Sequence, residues 1–397
     1  MRFRWVWPWA ALLVVPVPGL GLTMEEALAR AREQAPGVVL AKGRVEEARA
    51  RLEQAGRRFQ ENPDLEVNGG YRRAEDDHLD FEAAVSQSLD DGRRRAARIA
   101  GAEAALERAE AELDEVLRQL QRDAWTAFVR ARIAAERAAL WTRSRNTAAA
   151  LLAVTERRYE AGEATALELN RARVAAANAG ADLGAAEAEG SAAQTELEAL
   201  LGVPVEAGEG LALREPPDLA ALLAGLDQRP DLRSLAAALR EAEAEVRLGQ
   251  ALNRPGLGVR GGVGREEGAD LVTAGVVVSL PLRDPGRETL AVGQARAAAL
   301  RQALETARRT AEAEVRGRHA ALLRHLAAAR ELEGTALPAL EDNESLALKS
   351  FEAGEIDLGE FLLIRREILE TRLTYLERLL DASLTRVELE TAAGALP

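Results

Sequence analysis

The stretch RRYEAGEATALEL occupies residues 157–169, and KSFEAGEIDLGEF occupies residues 349–361. An aromatic residue followed by Glu-Ala-Gly-Glu is thus written twice, 192 positions apart. In each copy a helical pattern runs into a glycine suited to a left-handed C′ position, Gly162 or Gly354. A cap residue with glutamate three places on then restarts a helix: Thr165 with Glu168, and Asp357 with Glu360. Each stretch therefore reads as the turn of a helical hairpin.

Working outward, other landmarks repeat at nearly the same offset. QAPGVVLAKGRVEEARARL from Gln34 is echoed by QRPDLRSLAAALREAEAEVRL from Gln228, and VSQSLDDGRR from Val85 by VSLPLRDPGR from Val278. Repetition at a fixed spacing marks duplicated architecture. Each half reads as helix, β-hairpin, long helix, turn, helix. The expected units are a signal peptide at 1–21, a first repeat at 22–201, a linker at 202–228 and a second repeat at 229–397. The first repeat holds a hairpin at 64–89, a long helix at 93–160 and a helix at 166–201. The second holds a hairpin at 257–282, a long helix at 287–351 kinked at Pro338, and a helix at 357–391.

The strands show as period two. Leu65, Val67, Gly69 and Tyr71 share one face, as do Leu79, Phe81, Ala83 and Val85, with polar or small residues between them. In the second half Val259 and Val263, then Val272, Val276 and Val278, alternate likewise. The long helix at 93–160 would span about 100 Å at ~1.5 Å per residue. Leu113, Leu117, Leu120, Ala124, Ala127, Ala131, Ala134, Ala138 and Trp141 alternate four and three apart along it, a coiled-coil seam.

Composition agrees: 47% hydrophobic residues but 4% aromatic, with a net charge of −13, suits long helices. No block of five or more like charges occurs and Lys/Arg are interleaved with Asp/Glu, so nucleic acid is not expected as a partner. There is no cysteine, hence no disulfide, thiol chemistry or cysteine-linked lipid anchor. Of the three histidines, His78 falls in the first hairpin's loop, and His319 and His325 are six apart, off one helix face. No catalytic, cofactor or metal site is expected. GVRGGVG at 258–264 lacks the Lys-Ser/Thr of a phosphate loop. MRFR followed by WVWPWAALLVVPVPG has the form of an export signal.

A lone four-stranded sheet cannot close. Several chains pooling four strands each would make a barrel without edges, with Val67, Tyr71, Leu79, Phe81, Val85, Val259, Val263, Val272, Val276 and Val278 facing lipid. Two soluble hairpins packed on a periplasmic coiled-coil scaffold is the other solution open to the pattern. An adaptor protein would need a separate β domain, for which the strands are too few.

The duplicated halves, the VSLPLRDPGR segment and the RRYEAGEA and KSFEAGEI turns resemble the TolC-type outer-membrane efflux family over almost the whole chain. The resemblance implies a homotrimer whose twelve strands form one outer-membrane β-barrel and whose helices form a long α-barrel through the periplasm. It implies an exit duct for an efflux pump or type I secretion system, working with a periplasmic adaptor and an inner-membrane transporter. It assigns the tip, where adaptor is met, to Tyr159, Gly162, Glu163, Thr165, Phe351, Gly354, Glu355 and Asp357. It offers Glu168 and Glu360 as aperture residues, although both also read as cap partners. Some relatives place an acid where this chain has Leu363, so the aperture is expected to close on apolar side chains or on Glu360.

Overall fold

A computed structural model describes residues 23–72, 78–205, 211–266, 269–283 and 285–394. The expected signal segment, most of the first hairpin loop and part of the linker lie outside these residues.

Thr23 opens the described chain. Its hydroxyl accepts from the Glu26 amide at 3.3 Å while the Glu26 carboxylate accepts from the Thr23 amide at 3.0 Å. This reciprocal cap starts α1 (Met24–Gln34). Pro36 cannot continue that helix but suits the first turn of the next, so α2 (Pro36–Ala55) follows after one residue. Strands β1 (Asp64–Arg72) and β2 (His78–Leu89) come next, then α3 (Gly92–Glu160) and α4 (Ala166–Leu201). The connecting segment carries α5 (Leu219–Ala224) and a single tight turn over 226–228. The second half follows with α6 (Pro230–Leu252), β3 (Gly256–Glu266), β4 (Ala269–Ser279) and α7 (Arg287–Glu331). It ends with α8 (Leu337–Glu352) and α9 (Leu358–Ala393).

Three local readings are revised. His78 begins β2 rather than lying in the loop. Leu280 to Leu282 lie beyond the end of β4. The expected kink at Pro338 takes the form of a π-helical turn over 332–336, which separates α7 from α8. Pro338 then sits in the first turn of α8. Proline has no amide to give and its ring crowds the carbonyl four residues back; widening the helix at Leu332–Ala336 removes that conflict.

The strands form one antiparallel sheet in the order β1-β2-β3-β4. The two halves therefore meet through β2 and β3, with Leu89 opposite Leu257 and Ala83 opposite Val263. All four strands join their helices at the same end of the sheet, since Asp64 pairs with Ser86 and Gly256 with Ser279.

The core is a series of helix seams. Near the middle of α3, Leu120, Ala124 and Ala127 pack with Leu28, Val38 and Leu197 from α1, α2 and α4. Ile133 of α3 meets Leu376 and Leu379 of α9, which joins the halves. Leu222, Val315, Leu322 and Leu389 tie α5, α7 and α9. Arg229 pins the end of α9 to the start of α6: its guanidinium donates to the Ala392 carbonyl at 2.6 Å and to Asp231 at 2.8 Å. Closer to the sheet α6 and α7 almost touch. A Cβ added at Gly249 would lie 2.6 Å from the Leu290 amide nitrogen, and Gly286, at φ +75°, sits against the Gly249 carbonyl.

Candidate functional site

Two ends of the molecule carry the features that the sequence singles out, and they are built by different rules.

At the tip, the two repeats form the same hydrogen-bonded turn. The Glu163 amide donates to the Arg158 carbonyl at 2.7 Å, and the Glu355 amide donates to the Ser350 carbonyl at 2.8 Å. The Gly162 amide donates to the Tyr159 carbonyl and the Gly354 amide to that of Phe351. Both glycines have φ +77°. Only glycine takes that conformation at little cost, which is why it recurs.

The restart of the helices differs between the copies. Thr165 and Glu168 form the full reciprocal cap: the Glu168 carboxylate accepts from the Thr165 amide at 2.7 Å and from its hydroxyl at 2.8 Å. The Thr165 amide, then its hydroxyl, hold the Glu168 carboxyl below the usual range; Arg158 adds to this and the Asp357 charge opposes it. In the second copy Asp357 accepts from the Glu360 amide at 2.8 Å, but Glu360 does not close the box. Instead the Glu355 carboxylate accepts from the Ser350 hydroxyl at 2.9 Å.

The two turns are packed on each other. Leu151 of α3 and Ala172 of α4 share a buried cluster with Ala347, Leu358 and Phe361 from the second copy. Phe351 stacks on Phe361 with ring centroids 4.9 Å apart, and the Arg365 guanidinium lies 6.0 Å from the Phe361 centroid. Burial lowers the Arg365 pKa from its ordinary value. Tyr159, Leu167 and Leu363 are exposed. Glu168, half-buried, is brought near Asp357, whereas Glu360 and Leu363 stand exposed on α9.

One contact across the tip escaped the sequence reading. Where the first copy has Leu167, the second has Gly359. A Cβ there would lie 2.8 Å from Nη1 of Arg171, so the glycine makes room for a side chain from the other repeat. The signal was present as a departure from the repeat.

At the other end, strand register decides which side chains share a face. Tyr71 pairs with Leu79, Val67 with Ala83, Ala83 with Val263, and Val263 with Val272. Val85 pairs with Leu65, Val259 with Val276 and Leu257 with Val278. All ten expected lipid-facing residues therefore lie on one face of the sheet. They are exposed: Val272 by 81%, Val276 by 71% and Leu79 by 71%. A wholly solvated apolar face of that extent is uncommon on a protein that stands alone in water.

The opposite face is polar and rich in glycine. There Arg260 bridges Glu66 at 2.9 Å and Glu82 at 3.5 Å. A Cβ at Gly264 would meet the Phe81 carbonyl at 2.5 Å, and one at Gly262 would meet the Thr273 hydroxyl at 2.9 Å. At both positions the missing side chain leaves room for the neighbouring strand. Among the described helices none is long and apolar enough to cross a membrane. His319 binds the Pro217 carbonyl at 3.1 Å, a structural contact between α7 and the connecting segment.

Comparison with known proteins agrees with this architecture. Over 314 residues the chain is 29% identical to the cobalt-zinc-cadmium resistance protein CzcC of Cupriavidus metallidurans, covering 74% of this chain and 72% of that protein. The fold matches the CmeC outer membrane channel of Campylobacter jejuni with a TM-score of 0.77 at 14% identity, covering 94% of this chain and 85% of that one. It matches the open state of the Neisseria gonorrhoeae MtrE outer membrane channel with a TM-score of 0.73 at 20% identity, covering 94% and 89%. The family model for outer membrane efflux proteins matches residues 27–203 and 224–395, and the chain belongs to that family.

Proposed function

We propose that three copies of this chain close one twelve-stranded barrel in the outer membrane and continue it as a helical duct into the periplasm. The duct would passively conduct what an inner-membrane transporter and a periplasmic adaptor deliver. The observation that carries this reading is the sheet: one exposed apolar face, one polar face, and free edges at β1 and β4. In hydrocarbon each unpaired edge amide costs several kcal/mol, so such a sheet is stable there only when its edges join other strands. The apolar run on β2 from Leu79 to Leu89 is ten steps long. At ~3.4 Å per residue and a tilt of ~40° it would cover about 26 Å, close to the apolar band of an outer-membrane barrel. The ten apolar strand residues would then face lipid, and Arg260, Glu66 and Glu82 would face the pore.

The tip turns, with Tyr159, Gly162, Glu163, Thr165, Phe351, Gly354, Glu355 and Asp357, would receive the adaptor. Glu168, Glu360 and Leu363 would line or close the aperture, an apolar constriction at Leu363 replacing an acidic ring. The units would be the two repeats at 22–201 and 229–397 about the linker at 202–228, with residues 1–21 removed on export. Resemblance to a cobalt-zinc-cadmium resistance protein makes divalent transition-metal cations the first cargo to assay.

The test is the mass and location of the expressed protein. Membranes are fractionated, extracted with detergent and weighed by light scattering after subtracting the detergent. A trimer in the outer-membrane fraction is expected. A monomer or dimer in the soluble periplasm, obtained without detergent, would overturn the barrel.

A further inference from the structure

Every connection between sheet and helices lies at one end of the sheet, and those connections are rich in arginine. Residues 56–64, 90–98, 252–256 and 280–288 hold nine arginines against six carboxylates, in a chain whose net charge is −13. Three of the arginines have structural work. Arg94 donates to the Ala251 and Arg254 carbonyls, Arg95 to the Gly56 carbonyl at 2.6 Å, and Arg98 pairs with Asp90. Of the carboxylates, Asp90 is neutralised by Arg98, and Asp91 caps α3 by accepting from the Arg93 amide at 3.3 Å.

The other six, Arg57, Arg58, Arg93, Arg254, Arg283 and Arg287, are exposed, and none has an ion-pair partner among the described residues. They alternate with bare apolar side chains. Phe59, 54% exposed, follows Arg57 and Arg58, while Leu280 and Leu282, 60% and 84% exposed, precede Arg283. The last row of the apolar sheet face, Leu89, Leu257 and Val278, lies directly above.

We propose that this arginine collar binds the anionic headgroups of phospholipids in the membrane leaflet that faces the helices. The inference rests on the reading of the sheet as part of a membrane barrel. The chemistry is that of an interfacial belt: apolar groups enter the acyl boundary while guanidinium groups meet phosphate oxygens in two-pronged hydrogen bonds. A phosphodiester headgroup with net negative charge is preferred over a zwitterionic one because the ammonium of the latter repels the collar. The collar fixes the depth at which the barrel sits, since it stops at the level where the apolar face stops.

The test uses full-length protein incorporated into nanodiscs of phosphatidylethanolamine with a quarter phosphatidylglycerol, then stripped to its retained lipids and weighed by native mass spectrometry. Wild type is expected to retain phosphatidylglycerol well above its share of the mixture. The quadruple variant Arg57→Gln, Arg58→Gln, Arg283→Gln, Arg287→Gln spares the three arginines that hold the helix ends. It is expected to lower the ratio of retained phosphatidylglycerol to retained phosphatidylethanolamine at least ten-fold, each charge near a headgroup being worth about five-fold. A control that removes the same charge far from the sheet, Arg143→Gln, Arg145→Gln, Arg214→Gln, Arg324→Gln, is expected to keep it. If wild type enters the discs but retains the two lipids in proportion, or if the control loses as much as the collar variant, the collar is overturned and the barrel stands. If wild type enters no bilayer, both readings fall together.

Discussion

Gly162 and Gly354 give a test in which backbone conformation is separated from packing. Both sit at φ +77°, and a Cβ built at either would meet nothing within 4 Å. Replacing either with alanine therefore creates no clash; it only forces an L-residue into the left-handed region, at ~1–2 kcal/mol. That loss falls on the turn whose integrity is reported by the Glu163 amide, bonded at 2.7 Å to Arg158, or the Glu355 amide, bonded at 2.8 Å to Ser350. If these amides exchange through local opening of the turn, Gly162→Ala should speed exchange at Glu163, and Gly354→Ala at Glu355, by roughly 5–30-fold. Asparagine tolerates the left-handed region better and should recover part of the protection. Gly180 in α4 supplies the opposite case: its Cβ is also unobstructed, but its backbone is helical. Gly180→Ala should stabilise its helix by ~0.8–1 kcal/mol. Hydrogen exchange with mass readout on the three variants measures all of this. Equal protection in Gly162→Ala and wild type, or slowing at both Gly162 and Gly180, would refute the assignment of Gly162 to a conformational role.

Other outcomes follow from single contacts. Thr165→Ala removes the hydroxyl donor but keeps the backbone amide, so the Glu168 pKa should rise only part of the way toward the ordinary carboxylate value, and α4 should lose about 1 kcal/mol at its start; a carboxylate titration by NMR that shows no change would contradict this. Because the folded-state value is lowered, the cap's contribution is present above the unfolded pKa of about 4.5 and should fade as pH falls through the folded value. The Tyr375 phenol, pushed up to about 12 by burial and by Glu333, should ionise nearer its ordinary value in Glu333→Gln, followed by ultraviolet absorbance; an unmoved titration would leave burial as the sole cause. Val276→Arg should lower barrel stability by ~2–4 kcal/mol if that position lies at mid-membrane depth, whereas Thr273→Arg on the polar face should cost much less. Equal losses in a bilayer unfolding assay would mean that the faces are reversed or that no lipid meets the sheet.

Much of the fold was legible because period and punctuation are local properties. Period two in LDFEAAVSQSL and in DLVTAGVVVSL is visible without knowing a neighbour, and the register then puts all the alternating apolar residues on one face. The duplicated EAGE turn could be read because glycine at a positive φ is nearly obligatory there. The seam from Leu113 to Trp141 was readable as a pattern, but its partners were not: Leu28, Val38 and Leu197 meet it from three different helices. Likewise the sheet order could not be read. Two hairpins can pair through β2 and β3 or through β1 and β4, and nothing in either strand's alternation chooses between them.

Three further features that stayed hidden have a common cause: they lie in differences between the repeats rather than in the repeats themselves. Thr165 and Asp357 are both good caps, yet only in the first copy does the cap's backbone amide donate to the glutamate; the Thr165 hydroxyl donates to Glu168 as well, whereas the Asp357 carboxylate can only accept and carries the same charge as Glu360. Leu167 and Gly359 hold the same place in the turn, yet beside the glycine the end of Arg171 from the other copy lies where a Cβ would crowd it. Pro338 has no counterpart in α3, where Asn146 occupies the matching position, and only the second long helix is broken by a π turn. Duplication supplies one plan with a two-fold resemblance, whereas a contact between the copies puts each in a different environment. Once such a contact exists, a substitution that favours it in one copy is of no use in the other. The departures from the repeat are therefore where contacts between the halves should be sought in the sequence, and Gly359 with Arg171 is the example this chain provides.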